Sequence, residues 1–434
     1  MQTPRLDSAA YDRRQLQRHV IRTAASMAPV CVAVFGAGDA AAAYGPFLHG
    51  EGIYSLGFGG VGVVAAQDTY ALAANPALAP SLGSRFDIGV DWAQVFPKTH
   101  FRGNLLGADH TSSSRFRHVV IPQGGFSQTL NEQFTIGVTG FAAGFGTDYK
   151  DSPFQRFGGP ERAGAAISLA GISNVLAWQP VDDHALAIGV NLSYQIAELQ
   201  GLQPFRLLSE DPEHVTDNGK DGALGAGFSL GWNAHLTPWL EAGAAYRSKT
   251  WAQRFKKYAG VFPEQGRLEF PARYGAAVAL RPWPTWTLAL ETQRVLFASE
   301  KATGNGIEQL QQGEQLGADD GPGFGWRNQT VYKLGIAWDC TPLFSLRGGY
   351  SRGTDILPAR QTLIASLAPA TIAEHYTFGL SYEFRSGWQV DSYIAYAPRR
   401  TERGDGSVPI YVGGGEADVQ NGQQDFGLSV GRQF

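Results

Sequence analysis

Apolar and polar residues alternate along most of the chain with a period of two, which is typical of β-strands. One such run is Leu186, Ile188, Val190, Leu192, Tyr194 and Ile196, each separated from the next by a small or polar residue. The pattern predicts strands with one large apolar face and one small or polar face. Soluble strands usually have about 5–6 residues, whereas runs of this length match strands that cross a bilayer at a tilt.

The same pattern predicts fourteen strands, and their connections are alternately long and short, beginning with a long one. The predicted ranges are 85–97, 116–128, 133–146, 163–178, 185–199, 223–236, 239–252, 269–282, 285–298, 328–339, 343–352, 375–385, 387–398 and 425–434. Bacterial outer-membrane barrels have short periplasmic turns, long external loops and an even number of strands. Because every backbone polar group in hydrocarbon needs an internal partner, such a sheet must close. We therefore predict an all-β fold, a 14-stranded antiparallel transmembrane β-barrel in the bacterial outer membrane, with an ordinary β-sandwich as the alternative.

Both ends of the chain carry export signals. Arg13, Arg14, Arg18 and Arg22 precede an apolar stretch at 27–35 and the small residues 40–43, which predicts that residues 1–43 are a signal peptide. At the other end, the alternating last strand finishes on Phe434. A terminal aromatic in an alternating strand resembles the signal that the barrel assembly machinery reads, so we expect that machinery as a partner.

Residues 44–84 precede the first predicted strand and are rich in glycine and alanine. Fourteen strands enclose a lumen wider than their own side chains fill. We therefore predict that residues 44–84 form an N-terminal hatch inside the lumen and that residues 85–434 form the barrel. The run Gly57 to Gly62 satisfies the G-x-G-x-x-G pattern, but without a preceding buried strand it favours close backbone packing over phosphate binding.

Composition excludes several other classes of protein. Aromatic residues make up 12% of the chain and charged residues 17%, which excludes disorder. The net charge of −4 gives no reason to expect nucleic acid as a partner, and two cysteines form no disulfide framework. The chain has neither a nucleophile elbow nor an H-E-x-x-H motif, so we predict no enzyme activity, no metal and no cofactor.

Short motifs in the hatch and the barrel resemble one family. In the hatch they are the runs 55–62 and 68–72 and the tripeptide Asn75-Pro76-Ala77, and in the barrel they are 240–248, 271–290, 326–329, 346–358 and 368–396. These stretches look like the FadL/TodX family of outer-membrane transporters for long-chain fatty acids and aromatic hydrocarbons. The loops 200–222 and 253–268 look shorter than those of the fatty acid transporters.

The resemblance implies passive uptake of hydrophobic compounds. A ligand would enter a groove between the third and fourth external loops, pass to an internal pocket and leave sideways at a kink in the third strand. The candidate groove residues are Leu202, Phe205, Leu207, Leu208, Phe255, Tyr258, Val261 and Phe262. The candidate kink residues are Gly137, Gly140, Gly144 and Gly146, and the candidate hatch residues are Asp68, Asn75, Pro76 and Ala77. Glycine within a strand often marks a bulge or a close approach.

Three alternatives stay open at this point. Apolar residues on external loops either bind a ligand or pack on one another. The barrel is either a plugged transporter or a general diffusion porin for polar solutes. A less favoured function is that of an outer-membrane lipid hydrolase. The expected partners are a hydrophobic small molecule, outer-membrane lipid and lipopolysaccharide.

Overall fold

The computed structural model describes residues 44–434, so the predicted signal peptide at 1–43 lies outside the described residues. Fourteen long strands form the wall. They are β1 Arg85–Val95, β2 His118–Thr129, β3 Phe134–Tyr149, β4 Ala163–Val181, β5 His184–Gln200, β6 Asp221–Thr237, β7 Leu240–Arg247, β8 Arg273–Trp283, β9 Trp286–Val295, β10 Gln329–Thr341, β11 Phe344–Gly353, β12 Glu374–Glu383, β13 Trp388–Glu402 and β14 Glu416–Gln433.

Each wall strand pairs antiparallel with the next, and the first strand closes the sheet on the last. The β1–β14 ladder runs from Arg85 opposite Gln433 to Val95 opposite Gln423. The other edge of β1 pairs with β2, so β1 has a neighbour on both sides. The predicted closed 14-stranded antiparallel barrel is confirmed, as is the alternation of short turns with long loops.

The two faces of the wall have opposite character, as the period of two requires. On β5, Ile188 and Val190 are 50% and 51% exposed on the outer face. The next residue, Asn191, is only 4% exposed because its side chain faces the interior. Tryptophans cluster outside near the short turns and include Trp239, Trp283, Trp286 and Trp338. Aromatic residues of this kind form the girdle at one membrane interface. No helix within residues 44–434 is long and apolar enough to span a membrane.

Four wall strands differ from their predicted bounds by four residues or more, and one of them is β13, which ends at Glu402 rather than at 398. β7 ends at Arg247 rather than at 252, and β8 begins at Arg273 rather than at 269. β14 begins at Glu416 rather than at 425, because its first part pairs with a short strand, Lys98–Arg102, that belongs to the first long loop. This loop, predicted without strands, also contains His110–Ser113, and a third short strand, Trp251–Ala252, pairs with β6.

The helices within residues 44–434 are all short and lie in the segment before β1 or in the long loops. The α-helical turns are Ile53–Gly57, Ala79–Leu82, Pro263–Gly266, Lys301–Gly304, Glu308–Gln311 and Thr362–Ala365. The 3-10 turns are Thr69–Ala73, Pro76–Leu78, Gln155–Phe157, Gln203–Leu208, Pro212–His214, Lys256–Tyr258, Phe297–Ser299, Ala359–Gln361 and Ile410–Val412. Residues Glu264 and Gln265 have φ of 54° and 56°, so the Pro263–Gly266 segment is a left-handed turn rather than a regular helix.

The segment 44–84, called the hatch from here on, lies inside the barrel. Its side chains Leu56, Phe58 and Leu72 are fully buried against the inner wall. Wall glycines make room for it, since a Cβ on Gly335 would stand only 2.7 Å from the carbonyl oxygen of Phe58. The lumen is therefore filled at this level by the protein's own N-terminal segment.

Candidate functional site

The hatch is held to the wall by charged side chains that project inward. The Glu291 carboxylate on β9 accepts hydrogen bonds from the backbone amides of Gly62 at 2.8 Å and Val63 at 3.0 Å. Lys333, directly opposite on β10, lies 2.8 Å from Glu291 and donates to the carbonyl of Gly60 at 2.8 Å. The ion pair thus provides an acceptor for two backbone amides of the hatch and a donor for one of its carbonyls. These added hydrogen bonds offset the cost of burying the two charges.

The predicted hatch residues lie at two turns of the hatch. Asp68 precedes the Thr69–Ala73 turn and accepts from the amides of Tyr70 and Ala71. Asn75 accepts from the amide of Ala77 at 3.0 Å, and its side-chain amide donates to the carbonyls of Val63 at 2.8 Å and Trp232 at 3.0 Å. The contact with Trp232 joins the hatch to β6. Pro76 is the first residue of the following turn, where its missing N–H costs nothing, and Pro76 and Ala77 are buried.

The long loops enclose an apolar cavity above the hatch. It offers a volume of about 80 Å³ in which a water-sized sphere moves, against roughly 10–15 Å³ needed for one water molecule. Its lining includes Phe154, Leu199, Leu202, Phe205, Val215, Val261, Phe262, Ile307, Leu310, Leu316, Phe324, Leu363, Ile364 and Leu367. An apolar cavity of this kind does not hold water well and suits a hydrophobic ligand. This cavity is called the loop pocket below.

Four of the eight predicted groove residues line the loop pocket, and four do not. Leu202, Phe205, Val261 and Phe262 are in the lining. Phe255 and Tyr258 are buried beneath it, and the Tyr258 hydroxyl donates to the carbonyl of Gly219 at 2.6 Å. Leu207 points away, with 90% of its surface exposed, and Leu208 joins a neighbouring loop through its carbonyl, which accepts from Leu316 N–H at 2.8 Å.

Much of the loop pocket is lined by residues of two other loops, in which the sequence predicted no groove residues. Ile307, Leu310 and Phe324 belong to the loop after β9, and Leu363, Ile364 and Leu367 belong to the loop after β11. The available signal was the apolar spacing of three and four residues in these loops, which fits short amphipathic turns. Nothing in that spacing shows which loops meet.

The wall is interrupted between β2 and β3. The two strands pair only from Gly125 opposite Thr139 to Thr129 opposite Thr135. The other edge of β3 pairs with β4 along its whole length, down to Tyr149 opposite Ala163. Within the described chain, residues 118–124 and 140–147 form no ladder with each other, and the opening between them is called the window.

The window closes again at its external end and is filled from inside by the start of the hatch. On the external side of the window, the backbone amide of Arg115 donates to the carbonyl of Asp148 at 2.7 Å. The amide of Gly144 donates to the carbonyl of Pro46 at 2.7 Å, so the hatch supplies the partner that β2 does not. Leu48 packs nearby against a cluster that contains Val119 and Ile121 of β2.

The predicted kink glycines all lie on β3. Gly140, Gly144 and Gly146 are in its half that lacks β2 as a partner, whereas Gly137 is in the paired half. Gly144 has φ of 156°, near the limit of what other residues adopt. Pro122 on β2 is a further sequence signal for this break, since a proline within a strand removes a ladder donor and is found at strand edges.

A second, smaller cavity of about 20 Å³ lies at the window, lined by Gly45, Phe116, Phe145, Gly146 and Trp326 among others. It is separated from the loop pocket by aromatic rings. Phe324, which lines the loop pocket, meets Phe145 edge to face with ring centroids 5.1 Å apart, and it stacks on Trp326 at 4.9 Å. All three belong to the apolar cluster that also contains Phe262.

Polar groups line the lumen between the window and the hatch. The Arg247 guanidinium carbon lies 3.6 Å from the ring centroid of Phe141 on β3, and its Nη1 donates to the carbonyl of Ala73 at 3.4 Å. The side chains of Asn191, Ser193 and Gln195 on β5 have buried polar atoms with no partner within residues 44–434. Such groups usually bind ordered water.

Charges outside the membrane brace the loops around the pocket. Lys249 bridges Glu269 at 2.6 Å and Glu300 at 3.0 Å. Burial raises the pKa of the Glu300 carboxyl, and the bond from Lys249 only partly offsets this rise. Within the described chain no group of three or more His, Cys, Asp or Glu residues is placed to hold a metal ion.

A closed barrel with an apolar outer face, an interior hatch and a wall window defines a plugged outer-membrane barrel. The chain matches the family described as Outer membrane protein transport protein (OMPP1/FadL/TodX) over residues 40–403, and it belongs to that family. The predicted family and the outer-membrane location are confirmed. No curated protein sequence matches the chain.

Solved structures of similar fold cover nearly the same length. The P. putida toluene transporter TodX is 19% identical, with 89% of this chain and 99% of that chain covered and a TM-score of 0.67. A Pseudomonas aeruginosa FadL homologue is 15% identical, with 90% and 100% covered and a TM-score of 0.69. The Ralstonia pickettii toluene transporter TbuX is 16% identical, with 89% and 99% covered and a TM-score of 0.64.

Proposed function

We propose that this protein takes up hydrophobic compounds, long-chain fatty acids or aromatic hydrocarbons, passively across the outer membrane. The ligand is captured in the loop pocket and leaves sideways into the bilayer through the window. The observation that carries the proposal is the interrupted β2–β3 ladder, because a wall opening in the bilayer gives an apolar solute an exit that avoids water.

The apolar cluster supports a continuous route between the two ends of this path. Phe324 lies at the loop pocket and Phe145 at the window, and their rings are in contact. In the proposed route, these rings separate the two cavities and turn aside when a ligand passes. Because the hatch fills the lumen below the loop pocket, a route through the wall is favoured over a route along the barrel axis. A blocked axis in turn favours a transporter over an open diffusion porin.

The exit is tested by filling the window. Ala142→Trp adds bulk on β3 next to Val119 and Ile121 of β2. The matched control is Ala170→Trp, because Ala170 is the cross-strand partner of Ala142 on β4 and lies away from the window. We expect the first variant to slow uptake of radiolabelled toluene and oleate into cells by about tenfold or more, equal to ~1.4 kcal/mol on the barrier, and the control to be unchanged.

Equal uptake by both variants would show that the ligand does not leave through the window. Large steady ion currents through the unaltered protein in planar bilayers would instead favour the porin. Esterase turnover that is lost on a single Ser or His substitution would favour the lipid hydrolase.

A further inference from the structure

A groove runs along the outer, lipid-facing surface where β6, β7, β8 and β9 meet, and its volume is about 530 Å³. Its floor is made by Ala244 and Ala276, which are cross-strand partners on β7 and β8. Larger side chains form its sides, with Leu230 and Trp232 on β6 and the pair Tyr246 and Tyr274 above the alanines. The lipid-facing wall is therefore concave here.

A cation lies at the external end of this groove. Arg294 on β9 is the cross-strand partner of Tyr274 and shares its outward face, one residue before β9 ends at Val295. Its Nη1 donates to the Thr330 hydroxyl at 2.6 Å, and within residues 44–434 it forms no ion pair. The outward Arg352 nearby differs, because Glu374 lies 3.6 Å from it.

The depth of Arg294 identifies the layer of the membrane that it meets. Tyr246, Tyr274, Tyr332, Tyr376 and Tyr396 are exposed on the outer wall towards the long loops, opposite the tryptophans near the short turns. Such rings mark the interface at each side of a barrel. Arg294 lies in the same row as two of these tyrosines, so its guanidinium is at the headgroup level of the outer leaflet, where an arginine costs little.

We propose that the groove seats one acyl chain of a lipopolysaccharide molecule and that Arg294 binds a phosphate of its lipid part. The groove continues the surface that already faces hydrocarbon, so an acyl chain is the occupant that reaches it without leaving the bilayer. The guanidinium fork matches phosphate oxygens geometrically and is weakly hydrated. Lipopolysaccharide occupies the outer leaflet and carries phosphates at the depth of Arg294.

The test is native mass spectrometry of the detergent-purified protein, titrated with deep-rough lipopolysaccharide and, separately, with phosphatidylglycerol. Arg294→Gln removes the charge, and Ala276→Trp fills the groove. Arg432→Gln is the matched control, because Arg432 is also on the outer face but lies over Trp388 at the periplasmic end of β14. We expect one tightly bound lipopolysaccharide, about tenfold weaker in Arg294→Gln and lost in Ala276→Trp, with Arg432→Gln unchanged.

Three results would overturn the proposal. The first is equal lipopolysaccharide affinity in Arg294→Gln and the unaltered protein, which decides the matter even where Ala276→Trp fails to fold. The second is binding of phosphatidylglycerol as tight as that of lipopolysaccharide. The third is a dimer mass that Ala276→Trp abolishes, which would assign the groove to a second copy of the chain.

Discussion

The amide of Gly144 donates a hydrogen bond to the carbonyl of Pro46, 2.7 Å away, at a point where β3 has no strand beside it on one edge. The first residues of the hatch therefore complete the wall at the window. Movement of this segment exposes the Gly144 amide and vacates space beside Val119 and Ile121 together. The Gly144–Pro46 hydrogen bond and the packing of Leu48 together couple the position of the hatch to the state of the window.

Removal of residues 44–48 should open the window while the hatch stays in place. The next anchor is intact, because Glu51 lies 2.5 Å from Arg273. We expect faster uptake of labelled toluene than in the unaltered protein, with ion conductance in planar bilayers unchanged. Slower uptake would mean that Pro46 and Leu48 guide the ligand rather than cover the exit.

Removal of residues 44–84 should convert the barrel into an ion-conducting pore. The lumen of a 14-stranded barrel is wider than its own side chains fill, and the hatch occupies it here. We expect steady single-channel currents in planar bilayers, and none from the variant lacking only 44–48. Permeability equal to that of the intact protein would show that the external loops alone close the barrel.

Glu291→Ala should loosen the hatch and destabilise the barrel. The change leaves Lys333 buried without its carboxylate and strips the Gly62 and Val63 amides of their acceptor. Breaking a buried ion pair on one side costs about 3–5 kcal/mol. The temperature at which the folded band disappears on detergent gels should fall clearly, whereas Glu383→Ala, at an exposed strand end, should leave it unchanged.

Asn75→Asp should destabilise the hatch although it preserves size. The Asn75 side-chain amide donates to the carbonyls of Val63 and Trp232, and a carboxylate would face both without a donor. Each lost buried hydrogen bond costs about 1–3 kcal/mol. Asn131→Asp is the control, because the bonds from Gln133 and Phe134 use only its side-chain oxygen, and the same gel assay should register no change there.

Phe205→Asp should weaken ligand capture, because a buried carboxylate in the loop pocket loses its hydration. Leu207 is two residues away, is 90% exposed and lies outside the lining, so Leu207→Asp is the control. We expect affinity for a fluorescent fatty acid to fall by about tenfold or more in the first variant only. Equal losses would place capture on the outer loop surface instead.

The sequence was sufficient for the strands that face lipid on one side, since the bilayer imposes a strict period of two. The prediction was less accurate for residues outside the bilayer, where nothing imposes a period of two. The start of β14, from Glu416 to Gln424, was missed because it carries polar groups on both faces. Its first five residues, Glu416 to Gln420, pair with the short loop strand Lys98–Arg102. The unpaired edge of β3 was hidden for another reason, because ladder formation depends on a second strand and leaves no period in β3 itself.

The candidate site was predictable only in part for a similar reason. Phe262 and Leu202 were found because they belong to loops that the resemblance identified, while Phe324 and Leu363 come from distant loops that meet the same cavity. Tyr258 looked like a binding residue by its type, yet its hydroxyl serves the backbone of Leu199 and Gly219. Apolar character alone does not separate a lining residue from a packing residue.

The seam between β1 and β14 places a condition on biogenesis. Ser84, the residue before β1, accepts a hydrogen bond at 3.0 Å from the amide of Phe434, the final residue of the chain. Because this ladder joins the first wall strand to the fourteenth, the barrel closes only after β14 has reached the membrane. A chain that lacks β14 leaves one edge of β1 unpaired, so its wall stays open beside the hatch.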